Sequence, residues 1–276
     1  MNTTLAPFRL ALLPAAFLGF TVLLSQVRAQ DAAPPSARDL SAHLSGNLQD
    51  GSSSVRLKME IERPVGGPKT VLQLQVKARR TKSATDLVYQ VLWPKERKGE
   101  SFLLRKAADR ASSGAVFVPP DSLLPISSSK MKEAVFGSDL SYEDLVENFF
   151  AWEHQTIVGT ETVDRAPCQI LESRPGKSDR SSYARVRSWI DPKRFIPLRV
   201  EKYLESGQLA RRIDTTRVAK DDTDRLVPAS LAVRRPGQDS VTELEGSNSR
   251  HDVSHPESDF TPEALRVLSI PGPKPK

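Results

Sequence analysis

The sequence predicts a mainly β (α+β) fold, an antiparallel meander or an incompletely closed barrel, and three observations carry that prediction. About ten short runs alternate apolar with polar residues, as strands with one wet and one buried face do. Turn-forming residues separate the runs at hairpin-like spacing. Long helical stretches do not alternate with them, which disfavours a parallel α/β sheet.

The elements follow in chain order. Arg9, an apolar stretch from Leu10 to Leu24 and then SQVRAQ describe a secretory signal peptide. Val27 and Ala29 suit the small-residue positions before a cut after Ala29. An uncleaved anchor would need roughly 20 apolar residues, and Pro14 and Gly19 interrupt a shorter run here. Residues 1–29 are therefore expected to be removed, 30–35 (QDAAPP) to form a flexible leader, 36–270 a single domain and 271–276 a disordered tail. The expected location is the periplasm. The net charge of +6, two units of it from Arg9 and Arg28, is too small to argue for nucleic acid. Cys168 is the one cysteine, so the fold relies on its apolar core rather than on a disulfide.

From Ser36, Leu40, Leu44 and Leu48 recur four apart, the mark of a one-sided helix that Gly46 weakens. In VRLKMEIE the period changes to two: Val55, Leu57, Met59 and Ile61 share one face. After the turn at Pro64–Pro68, Leu72, Leu74, Val76 and Ala78 line the next strand, and Leu87, Tyr89, Val91 and Trp93 the one after. Further runs recur from ESFLLRK to SVTELEG. Helices are expected in the middle, from Ser127 to Trp152, and briefly from Thr261 to Leu268.

The middle region contains VFGSDLSYEDL, three carboxylates within six residues of a basic chain. Read as a helix start, Ser141 is the N-cap, Asp144 stands at N3, and Leu140 packs on Leu145 as a staple. Glu143 and Asp144 meet the positive end of the helix, with Asp139 as an alternative cap. Tyr142, Leu145, Val146 and Phe149 form an apolar stripe. Capping explains these acids better than acid catalysis does.

No catalytic constellation stands out. G-x-S-x-G, H-E-x-x-H, C-x-x-C and Gly-rich phosphate loops are absent from the sequence. His251 and His255, near Asp252, invite a metal reading, but Pro256 argues against one helical face and favours a solvated loop. His154 is a lone histidine. Arg79-Arg80 and Arg211-Arg212 read as solvated strand faces. No cofactor, metal or catalytic residue is expected.

Four stretches, LVYQVLWPKERKGESFLLR, AVFVPPDSLLPISSSKMKEAVFGSDLSYEDL, RVRSWIDPKRFIPLRVEKYLESGQLARRI and FTPEALRVL, resemble the outer membrane lipoprotein-sorting protein family. These are periplasmic proteins similar to the lipoprotein carrier of the Lol pathway and to a treponemal relative. The resemblance implies an unclosed, strongly curved antiparallel β-barrel with helices as a lid over its mouth. It also implies a hydrophobic cavity for the acyl chains of a lipoprotein or lipid, carried toward the outer membrane without catalysis. An inner-membrane exporter and an outer-membrane acceptor would be the partners. Met59, Tyr89, Val91 and Trp93 are the candidate sheet contacts of that cavity; Tyr142, Leu145 and Phe149 are the candidate lid contacts. Two other classes stand beside this expectation: an envelope-stress sensor binding a membrane partner, and an exported hydrolase.

Overall fold

The structure, a computed structural model, describes residues 33–49, 51–81, 84–107 and 111–267. The expected export signal with its cut after Ala29, the first half of the leader and the 271–276 tail lie outside them. Helix α1 (Ala37–Gln49) starts where the leucine spacing placed it. Ser36 and Asp39 cap it reciprocally: the Asp39 amide donates to the Ser36 hydroxyl at 3.2 Å, and the Ser36 amide to the Asp39 carboxylate at 3.1 Å. Leu40 and Leu44 are buried.

Among the described residues thirteen strands form one antiparallel sheet. They are β1 (Ser52–Glu62), β2 (Lys69–Arg80), β3 (Ala84–Trp93), β4 (Ser101–Ala107), β5 (Ser113–Val118), β6 (Ser122–Ile126), β7 (His154–Val163), β8 (Ala166–Arg174), β9 (Arg185–Asp191), β10 (Ile196–Tyr203), β11 (Leu209–Lys220), β12 (Leu226–Arg234) and β13 (Val241–His251). Their order is β6-β5-β4-β3-β2-β1-β13-β12-β11-β10-β9-β8-β7. Both ends of that series are free, so the sheet does not close. The alternating runs are strands, and β6 is the one the pattern hid. Pro125 interrupts its alternation and removes an amide, which a sheet tolerates at an edge.

The order contains one long passage. Strands β6 and β7 follow each other in the chain yet form opposite edges of the sheet. Residues 127–153 must therefore travel from one edge to the other, and they do so across one face, called inner here. That crossing segment is not the continuous helix expected from Ser127 to Trp152. It consists of a 3-10 turn (Ser128–Lys132), a five-residue helix α2 (Tyr142–Val146) and a second 3-10 turn (Phe149–Ala151). Phe136 and Gly137 take positive φ angles of 51° and 83°, which a helix cannot continue through. Past α2, Glu147 is already extended. The expected C-terminal helix is likewise two 3-10 turns, Glu257–Phe260 and Glu263–Arg266.

The opposite, outer face has its own cover. Phe260 and Leu265 from the C-terminal turns pack on Leu103, Ala115 and Phe117. Cys168 is buried there, beside Trp189, Ile196 and Leu198. Trp93 also lies outward, against expectation. A bulge pairs Leu74 with Val91 but Gln73 with Trp93, so one extra residue turns the indole to the other face, where it is 50% exposed.

Candidate ligand-binding face

The inner face is built from the alternating apolar positions the sequence showed. Met59, Ile61, Leu72, Leu74 and Val91 from β1–β3 join Val233 and Leu244 from β12 and β13 in one cluster, and Leu140 of the crossing segment is buried among them. A second cluster gathers Ala78, Leu87, Phe102 and Leu104 under Met131, Val135, Tyr142 and Val146. Tyr89 and Leu145 touch both. Tyr89 stacks on Phe102 at 4.8 Å, and Tyr142 meets the same ring edge-on at 5.1 Å. On the other wing Phe149, Phe150 and Trp152 pack with Leu40 and Leu44 of α1 over Leu171, Val186, Ile190 and Val200.

The structure thus brings Met59, Tyr89, Val91, Tyr142 and Leu145 together. Phe149 is buried against a different part of the same face, because the helix that would have carried it ends at Val146. Trp93 is excluded by its bulge.

Four carboxylates pin the crossing segment to distant strands and to the loop between β8 and β9. Ser141 caps α2: its hydroxyl accepts from the Asp144 amide at 3.3 Å, while its own amide donates to the Asp144 carboxylate at 2.8 Å. Ser141→Ala is expected to cost about 0.5–2 kcal/mol in denaturant unfolding. Asp144 does more than cap. Its carboxylate is 0% exposed and accepts from Lys202 Nζ at 2.8 Å, Tyr183 Oη at 2.7 Å and Arg211 Nε at 3.2 Å. Burial alone would raise its pKa, but the Lys202 and Arg211 charges outweigh burial and hold it well below the usual carboxylate range. Burial, and then the Asp144 charge, push the Tyr183 hydroxyl upward, which keeps it a donor.

The other acids reach elsewhere. Asp139 accepts from Ser240 Oγ at 2.6 Å and Thr242 Oγ1 at 2.9 Å at the start of β13. Glu143 accepts from the Ser182 amide at 2.6 Å and from the Ser181 and Ser182 hydroxyls. Glu147 accepts from Lys106 Nζ of β4 at 2.6 Å and from Trp152 Nε1 at 2.9 Å.

Two expectations need correction here. The acids of VFGSDLSYEDL cap a helix only in the case of Asp144, and Asp139 is a buried tether rather than an alternative cap. Arg211-Arg212 is not a solvated pair: strand alternation sends Arg211 to the buried inner face, while Arg212 bonds Asp214 at 2.9 Å outside. Arg79 similarly holds Asp86 at 2.8 Å.

The histidines do not converge. His255 Nε2 lies 3.1 Å from the Ser53 carbonyl, whereas His251 Nδ1 contacts Asp222. His251 instead shares with Asp221 and Asp222 a spot where three potential ligand atoms lie within 4.8 Å of one another. Asp221 is already bonded there by Thr223 and Arg225.

Two clefts open near these elements. One of about 280 Å³ is lined by Met131, Lys132, Glu143, Arg180 and Ser182, beside the crossing segment. A larger one, about 620 Å³, lies on the outer face between Lys77, Gln90, Ser101 and Asp259, with Val88, Ala264, Leu265 and Val267 also lining it.

Several solved structures share this arrangement. A DUF1329 family protein from Desulfovibrio piger superimposes with a TM-score of 0.76 at 24% identity, covering 83% of this chain and 97% of its own. A putative outer membrane lipoprotein-sorting protein domain from Vibrio parahaemolyticus gives 0.73 at 19% identity, covering 83% and 98%. A LolA superfamily protein from Nitrosomonas europaea gives 0.65 at 17% identity, covering 82% and 98%. No curated protein matches the sequence. A family model described as uncharacterized-protein-like matches residues 83–267. The chain belongs to the family of that model, and its fold is the one shared by the lipoprotein-sorting and LolA superfamily structures.

Proposed function

We propose that the protein is a non-enzymatic periplasmic carrier that holds the acyl chains of a lipid or lipoprotein between the inner face of its sheet and the crossing segment, for transfer toward the outer membrane. The observation that carries this reading is the apolar seam between the two. Leu140, Tyr142, Leu145 and Val146 lie on Met59, Leu74, Val91 and Phe102, the surface an acyl chain would cover in their place. Each methylene moved from water into such a seam contributes about 0.8 kcal/mol.

The crossing segment suits the part of a lid. Its hold on the sheet is made by side chains, with an isolated bridge between Ala134 and Ser141 as its own short pairing, so it can lift while the strand ladder stays intact. Uptake then exchanges one apolar cover for another, and release returns the segment to its packing on the sheet. The cleft beside Met131 and Glu143 is where that exchange would begin. Among the described residues no helix is long and apolar enough to cross a membrane.

The test is native mass spectrometry of the protein purified from the periplasm without detergent, followed by organic extraction. A stoichiometric lipid or acylated peptide is expected, and Leu145→Gln or Phe149→Gln should reduce it while the thermal transition persists. A clean unliganded mass, with no uptake of added lipid or lipopeptide, would sink the carrier reading.

A further inference from the structure

The charges beneath the crossing segment do not balance. Lys202 of β10 lies directly opposite Arg211 of β11. Arg212 pairs with Arg234, which brings Arg235, the next residue beyond β12, alongside Arg211 on the inner side. Three cations therefore stand side by side across neighbouring strands, an arrangement that like-charge repulsion disfavours. Asp144 bridges the first two.

No such bridge serves the third. Arg235 Nε and Nη2 are buried and have no hydrogen-bond partner among the described residues. Burial, and then the neighbouring Arg211 charge, lower its pKa. Asp139 is close enough to act on it electrostatically, but the Asp139 oxygens are occupied by Ser240 and Thr242 and approached by Arg63 at 3.7 Å. Lys202, Arg211, Arg235 and Arg63 thus face Asp139 and Asp144, an excess of positive charge at one end of the apolar seam. Buried donors without acceptors are rare in folded proteins. A guanidinium presents a planar fork that matches the oxygens of a phosphate.

We propose that Arg235, with Arg63 at the rim, receives the phosphate of an anionic amphiphile whose chains occupy the seam. This rests on the carrier reading and narrows it: the cargo is a phosphate-bearing lipid rather than a neutral one.

The experiment loads the wild-type protein with dimyristoyl phosphatidylglycerol, with dimyristoylglycerol, which has the same chains and no phosphate, or with inorganic phosphate alone. Uptake is read by native mass spectrometry and phosphate binding by calorimetry. Hydrogen bonds to a charged group correspond to about tenfold or more in affinity, so wild type should favour phosphatidylglycerol over the neutral lipid by about that factor. Arg235→Gln should remove the preference and leave neutral uptake unchanged. Arg63→Gln, at a residue 52% exposed and therefore no threat to folding, should weaken the preference in the same direction.

Equal uptake of both lipids by wild type, unchanged in the variants, overturns this inference and leaves the carrier reading standing. Uptake of neither lipid overturns both. Tight binding of inorganic phosphate that is lost in Arg235→Gln, without lipid uptake, overturns the lipid source and assigns the site to free phosphate.

Discussion

Asp144→Asn is expected to destabilise the protein by about 3–5 kcal/mol, the usual cost of leaving a buried charge without its partner. The amide keeps the size of the side chain but abandons Lys202 and Arg211, whose side chains are 2% and 10% exposed. Urea unfolding at neutral pH measures the loss. A second substitution, Lys202→Met in the Asp144→Asn background, removes one orphaned charge and should recover part of it. A loss under about 1 kcal/mol would mean that Asp144 caps α2 and little more. The pH dependence gives an independent reading. Asp144 titrates well below its unfolded value near 3.9. Its contribution is therefore complete above that value and is lost as pH falls toward the folded pKa. The stability gap between wild type and Asp144→Asn should accordingly narrow below about pH 4, and a gap that stayed constant there would contradict the assignment.

Phe102→Ala should cost a comparable amount, about 3–5 kcal/mol. This ring is fully buried on β4 and meets three others: Tyr89 at 4.8 Å, Tyr142 at 5.1 Å and Phe136 at 5.2 Å. Two of those partners, Phe136 and Tyr142, belong to the crossing segment, so truncation opens a void at the junction of segment and sheet. Phe102→Leu, which retains more of the volume, should cost less. Thermal or denaturant unfolding of the pair checks both, and equal losses would show that the ring contacts, rather than the filled volume, carry the stabilisation.

Period-two alternation was enough to find β1–β5 and β7–β13, because each strand buries one face and wets the other. It also found Met59, Tyr89 and Val91 on the inner side. The same rule misplaced Trp93, since a bulge adds one residue without any mark in the local pattern. It also missed β6, whose alternation Pro125 breaks. The capping box at Ser141 and Asp144 was legible because its partners are three residues apart. The ion pairs of Asp144 were not, because Lys202 and Arg211 lie 58 and 67 residues away. What local spacing cannot express is which buried cation will meet which buried anion once the sheet has formed. Sequence therefore located the apolar inner face of the sheet and missed the charges that meet there.

The seam between β1 and β13 has a consequence for the order of assembly. Leu57 pairs with Leu74 across a short hairpin but also with Gly246, about two thirds of the chain away. Hairpins such as β1–β2 can close early, whereas the pairing that joins the two wings bears a large loop-closure entropy and must wait for the last strand. Until β13 arrives, β1 presents an eleven-residue bare edge in the centre of the future sheet. A chain emerging N-terminus first therefore carries its most adhesive edge from the beginning and covers it only at the end. Folding yield, more than final stability, is where such a molecule is exposed to self-association.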